Sequence, residues 1–200
     1  MNFLLERTAE PEIEPITLAE MKRHLRLFDD ITSEDNDVSG LITVAREWVE
    51  EYTGRALIDQ TWRLTVEDYT TGVIMLRRSP VLAVLSMVSV DAEGAETTID
   101  ASTYEVREAA SRWPTLVPLS GATWPTGVLR ITFRAGFADR TGSPQQDGSV
   151  VPAVIKQAMK LVAAHYYDNR APVNIGNITT ELPLGIKFML ASQRCNFNFA

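Results

Sequence analysis

The side chains with the most chemical potential in this sequence are two histidines, His24 and His165, one cysteine, Cys195, and a carboxylate-rich stretch from Asp29 to Asp37. A catalytic nucleophile needs a base within hydrogen-bond reach and a third group to orient that base. The two histidines fall on separate predicted helices, and neither has a serine or carboxylate spaced to complete such a set. Asp168-Asn169-Arg170 follows His165, but the end of a helix accounts for that polarity. Cys195 stands in a terminal segment with no basic pocket to lower its pKa. One cysteine and two histidines also fall short of a structural zinc set. A calcium loop beginning at Asp35 would need a bidentate glutamate at its twelfth position, where Arg46 stands. The acids at 35 and 37 fit a helix N-terminus better, where carboxylates meet free N–H groups and the helix dipole. No dinucleotide or phosphate loop, HExxH pair or GxSxG elbow occurs. The residues therefore predict no enzyme, no metal site and no cofactor.

Composition narrows the classes further. Of 200 residues, 45 % are hydrophobic and 22 % charged, as in a globular domain. No stretch would span a bilayer: twelve uncharged residues separate Arg78 from Asp91, and the longer uncharged run from Trp113 to Leu129 is broken by prolines and glycines. The acidic start lacks the basic and apolar regions of a signal peptide. A single cysteine excludes an intrachain disulfide, so a cytoplasmic origin is expected. The formal net charge is −7 and uneven: residues 1–54 carry 13 acids and 5 bases, whereas residues 151–200 carry 2 acids and 5 bases. Affinity for phosphate comes mainly from Lys and Arg, so an acidic chain is a poor DNA-packaging or DNA-binding candidate. An acidic front and a basic rear can steer association between copies, although charge blocks of this kind are more often solvated faces or tails.

These side chains must be positioned by an α+β chain with a change of period at Gly54. Residues 1–15, with Pro11, Pro15 and several glutamates, read as a flexible acidic arm. Thr17 and Glu20 form a capping box that opens a short helix to about Leu27. A second helix, from about Asp35 to Thr53, carries Val38, Leu41, Ile42, Ala45, Trp48, Val49 and Tyr52 as its core stripe, with Glu47, Glu50 and Glu51 facing away. Gly54 is placed to take the left-handed conformation that stops it. Beyond it the period is two: Trp62, Leu64 and Val66 alternate with polar residues, and Leu129, Ile131 and Phe133 do so again. Short strands at Val73–Leu76, Val81–Val90, Thr97–Ile99, Tyr104–Arg107 and Thr115–Pro118 complete an antiparallel β-module over 55–150, with a hairpin turn at Ala92-Glu93-Gly94. A loop follows from Asp139 to Val150, and Pro152 opens the most apolar helix, which is expected to pack on the second. Pro183 opens a last short helix over Leu184–Gln193. The helical domain thus comprises 16–54 and 151–193, and 194–200 form a tail in which Phe197 and Phe199 alternate with asparagines. An apolar terminus of this kind points to a partner.

Several phrases, in this order, resemble the head–tail connector (adaptor, or head-completion) proteins of tailed bacteriophages and gene-transfer agents. They are Pro15-Ile16-Thr17-Leu18-Ala19-Glu20, then Ala45 to Leu57 with Thr61-Trp62, Arg78-Ser79-Pro80-Val81, Phe133-Arg134-Ala135-Gly136-Phe137, Ala163 to Arg170 and Leu182-Pro183-Leu184-Gly185. The resemblance runs from about residue 15 to 194. It implies a structural protein of the particle neck, assembled in the bacterial cytoplasm. Such a protein forms a homo-oligomeric ring, usually twelvefold, on the portal protein. The ring extends the DNA channel, with DNA as passing cargo, and receives the next neck or tail component. A stopper or tail terminator is the alternative within the same setting.

The resemblance also implies that the C-terminal segment engages the portal, through Leu184, Ile186, Phe188, Leu190, Arg194, Phe197 and Phe199. The acids Glu12, Glu14, Asp29, Asp30, Glu34, Asp35 and Asp37 are expected to face the channel or a neighbouring copy, since a negative wall repels DNA phosphate where a basic one would hold it.

Overall fold

In the computed structural model, residues 2–67, 69, 72–138, 148–169 and 184–195 are described. The chain is α+β and divides into two compact units: Ile13–Thr53 with Gln146–Arg194, and Met1–Glu12 with Gly54–Gln145 and Cys195–Ala200.

The first unit is helical. Helix α1 (Leu18–Leu25) starts at a complete capping box: the Glu20 N–H donates to Thr17 Oγ1 and the Thr17 N–H donates to Glu20 Oε2, each at 3.1 Å. Ile16 before the cap and Met21 in the next turn are both buried, the two positions a hydrophobic staple uses. Arg26, in the left-handed conformation at φ 59°, ends the helix and returns its N–H to the last turn. Helix α2 (Asp35–Thr53) buries Val38, Ile42, Ala45 and Val49 at spacings of three and four. Gly54 follows at φ 71°, where a side chain would be strained. Helix α3 (Ala153–Asp168) packs on α2 and buries Ile155, Ala158, Met159, Val162 and Ala163; Pro152 stands at its N-cap. Helix α4 (Leu184–Ala191) packs on α3 and buries Ile186 and Leu190. The Tyr52 hydroxyl donates to the Lys187 carbonyl at 3.2 Å and holds α4 at the C-terminal end of α2.

Two charged side chains lock loops onto these helices. Lys22 is buried, and its ammonium donates to the carbonyls of Asp29 and Ile31 and to the Asp35 carboxylate at 2.8 Å. That arrangement uses all three donors and winds the acidic connector around one cation. Arg46 is buried too; its Nε reaches Glu14 at 2.9 Å and its Nη1 reaches Glu50 at 3.0 Å. Glu50, expected on the outer face of α2, is therefore inside: an acid four residues from a buried arginine follows its partner inward.

The second unit is a β-unit with eight strands among the described residues. They are β1 (Asn2–Ala9), β2 (Gln60–Glu67), β3 (Ile74–Met75), β4 (Val81–Val90), β5 (Glu96–Thr98), β6 (Tyr104–Arg107), β7 (Thr115–Pro118) and β8 (Val128–Ala135). Five form an antiparallel sheet in the order β1-β2-β8-β4-β5, and three form a second sheet, β3-β7-β6. Trp62 opposes Phe133 and Leu64 opposes Ile131, so both inward sets share one face and build the core with Val66, Leu76, Met87, Leu116 and Leu129. At the β4–β5 hairpin the Asp91 carboxylate accepts the N–H groups of Glu93 and Ala95, at 3.0 and 2.8 Å.

One expectation changes here. The stretch read as a flexible arm forms β1, an edge strand paired antiparallel with β2 from Asn2↔Glu67 to Ala9↔Thr61. Phe3-Leu4-Leu5 supplies strand-forming residues, and Arg7 lies over the Trp62 ring. The glutamates made the segment look solvated, yet a strand edge needs only backbone groups and alternate side chains. The hinge-like prolines act only after it, from Pro11 on. The predicted loop is described only at Gly148–Val150, a 3-10 turn; residues 139–147 lie outside the described residues.

Candidate functional site

The residues that could have carried chemistry are held apart or occupied. Among the described residues no three His, Cys, Asp or Glu side chains gather as a metal site would require. His24, half-buried on α1, has its pKa lowered by burial and then by the Lys160 charge. His165 meets the edge of the Tyr166 ring, at 5.9 Å between centroids. Cys195 is buried in the β-unit with its sulfur 3.7 Å from the Ser79 hydroxyl, so the end of the chain is anchored there before the tail begins.

The seven acids separate into two sets. Glu14, Glu34 and Asp35 have partners within their own unit. Glu14 accepts from Arg46 and from the Thr43 hydroxyl at 2.9 Å, Glu34 accepts the Tyr167 hydroxyl at 2.7 Å, and Asp35 accepts Lys22. Glu12, Asp29, Asp30 and Asp37 are exposed. Charge along the sequence cannot make this division, because the partners of Glu14 and Glu34 stand 32 and 133 residues away.

The expected portal residues divide as well. Ile186 and Leu190 are core residues of the helical unit. Phe188 on the opposite face of α4 is 85 % exposed, the highest exposure of any large hydrophobic residue described. Arg194 lies exposed over the Tyr52 ring at 4.8 Å. The side chain of Leu184 and all of Phe197 and Phe199 lie outside the described residues.

The residue pattern did not single out a groove of about 600 Å³ on the helical unit. Asp37, Gly40, Leu41 and Val44 of α2 form one wall, and Tyr166 of α3 with Asn169 at its C-cap the other. Its α2 stripe is the core stripe shifted by one residue: 37, 41 and 44 beside 38, 42 and 45. Val44 is 45 % exposed there. Gly40 sits inside α2, and a Cβ built on it meets nothing within 4 Å. Glycine in a helix interior is less stable than alanine by about 0.8–1 kcal/mol, and among the described residues no neighbour requires it. The signal available in the sequence was this uncompensated helical glycine flanked at i+1 and i+4 by Leu41 and Val44. A second recess, about 500 Å³, lies on the β-unit between Tyr69, Trp124 and Pro125. Its polar tips are satisfied internally, since the Trp124 indole donates to the Gly72 carbonyl and the Tyr69 hydroxyl to that of Pro125.

The sequence pattern of the phage gp6-like head-tail connector protein family matches residues 15–112. No curated protein matches the chain significantly. Among solved structures, a chain in the neck of an empty gene-transfer-agent particle, computed with C6 symmetry, is 25 % identical with a TM-score of 0.78, over 98 % of this chain and 97 % of that one. A chain in the virion of a native gene-transfer-agent particle is 27 % identical with the same TM-score and coverage. A third, in the neck of a native particle computed with C12 symmetry, is 25 % identical with a TM-score of 0.75, again over 98 % and 97 %. The family pattern covers the seam between helix and sheet, and the structural likeness extends over almost the whole length of the chain. The chain is thus similar over residues 15–112 to the phage head-tail connector family, and over almost its whole length to chains of gene-transfer-agent particles, which indicates a structural rather than an enzymatic role.

Proposed function

We propose that this protein is an adaptor: a homo-oligomeric ring, twelvefold, that sits on the portal of a phage or phage-like particle, extends the DNA channel and receives the next neck component. The observation that carries this reading is the near full-length likeness to chains from gene-transfer-agent necks, one of them treated with twelvefold symmetry. In this reading the portal contact is made by the segment that follows the buried Cys195, with Phe197 and Phe199 as its apolar anchors. Ile186 and Leu190 serve by holding α4 on the helical unit. Glu12, Asp29, Asp30 and Asp37, exposed and acidic, face the DNA path or the next copy.

The test is direct binding. Purified portal mixed with this protein should yield a complex of portal plus about twelve copies by native mass spectrometry. A chain ending at Cys195 should remain folded and lose that complex. Binding to heads only after another neck protein has joined would make it a stopper or terminator, and normal docking of the shortened chain would remove the tail assignment.

A further inference from the structure

We propose that the groove over Gly40 is the socket of the ring contact and that its occupant is Phe188 on α4 of the neighbouring copy. This rests on the neck-ring reading above and goes on to name the contact itself. The socket is lined by Leu41, Val44 and Tyr166 together with Asn36, Asn169 and the acidic Asp37. The open space above Gly40 lets another helix approach the α2 backbone closely. The side chain that fits belongs to the same unit. Phe188 projects from a face of α4 that also exposes Gly185, Ala191 and Ser192, so the phenyl ring stands above small neighbours. The described part of α4 carries no acid, and Lys187 lies beside the knob, so the charges complement Asp37.

The two features lie at opposite ends of one rigid element. Tyr52 holds α4 at the C-terminal end of α2, and Gly40 is twelve residues earlier, about 18 Å along the helix. A knob at one end and a socket at the other cannot meet within a copy through that element. They make a heterologous contact, the kind that closes into rings rather than stopping at dimers.

The experiment uses the full chain with p-benzoylphenylalanine in place of Phe188. Isotopically light and heavy copies are mixed, assembled on portal-bearing heads and irradiated. Mixed light–heavy adducts to residues 37–44 or to Tyr166 are expected. Adducts to the portal or to another surface of the neighbour, or no inter-copy adduct from protein that has joined the heads, would overturn the proposal. If the parent chain itself fails to join heads, the neck reading fails, which is a separable outcome. Gly40→Leu gives an independent arm that survives any loss of incorporation by the first variant. Because no described residue lies within 4 Å of a Cβ there and leucine is a better helix former than glycine, this variant should fold and melt no lower than the parent. Its ring assembly on heads falls roughly tenfold or more; assembly at the parental level sinks the socket.

Discussion

Arg46 of the helical unit and Arg55 of the β-unit are both buried, yet burial acts on them with opposite results. For Arg46, loss of water opposes the charge, but Glu50 and Glu14 outweigh it and the guanidinium pKa is raised. For Arg55, burial dominates, the nearby Cys195 offsets it in part, and Arg112 adds to it, so the pKa is lowered. Arg55 lies against the Phe137 ring at 5.7 Å. The difference shows how each unit is held together. The helical unit places ionic pins at the points where its loops and its N-terminal lead must be fixed. The β-unit relies more on alternating apolar strands, with Arg130–Glu96 and Arg107–Glu105 as ion pairs on its surface and Arg134–Asp59 as a part-buried one.

The largest test of that contrast is Arg46→Met, which leaves the buried Glu50 without the guanidinium that neutralises it and should cost about 3–5 kcal/mol. Urea unfolding would read it, and adding Glu50→Leu should recover part of the loss, because an apolar pair replaces an ionic one at little cost. Arg55→Met should cost less than Arg46→Met, since burial outweighs the charge compensation at Arg55; a loss equal to that of Arg46→Met would end the comparison.

Acid provides a subtler probe. The Glu20 pKa is lowered, first by the Thr17 backbone N–H and then by Lys156 and Lys160, against the opposing effect of burial. A depressed carboxylate contributes stability above its unfolded pKa and loses it as pH falls through the folded value. The parent should therefore lose melting temperature between about pH 5 and pH 3, and Glu20→Gln should flatten that decline. Smallest of all, Arg130→Ala on the sheet surface should change stability by about 0.5 kcal/mol or less and become indistinguishable from the parent in high salt.

Much of the fold was legible because its signals are local. The stripe Val38, Ile42, Ala45 and Val49, the Thr17–Glu20 box and the alternation from Trp62 to Val66 each declare an element within a few residues. β1 was missed because its signal is Phe3-Leu4-Leu5 beside acids and prolines, and its partner strand lies about sixty residues away. Glu50 was misplaced because an i,i+4 ion pair reads identically on a wet face and a buried one. Of the site, the exposed Phe188 stood out by its type, whereas Ile186 and Leu190 shared that type and turned inward. Only the packing of α4 on its neighbours distinguishes them.

The sequence by itself determined the order of elements, the period of each and the points where they stop, since backbone preference and side-chain spacing act over one or two turns. Its phrases also pointed to the connector family. Tertiary structure alone decided the strand order β1-β2-β8-β4-β5, the burial of Lys22 and Arg46, and the sorting of seven similar acids into partnered and exposed. It also decided that no described residue stands over Gly40. Those are matters of which distant residues meet, and a charge or a glycine has no fixed meaning until its neighbours are known.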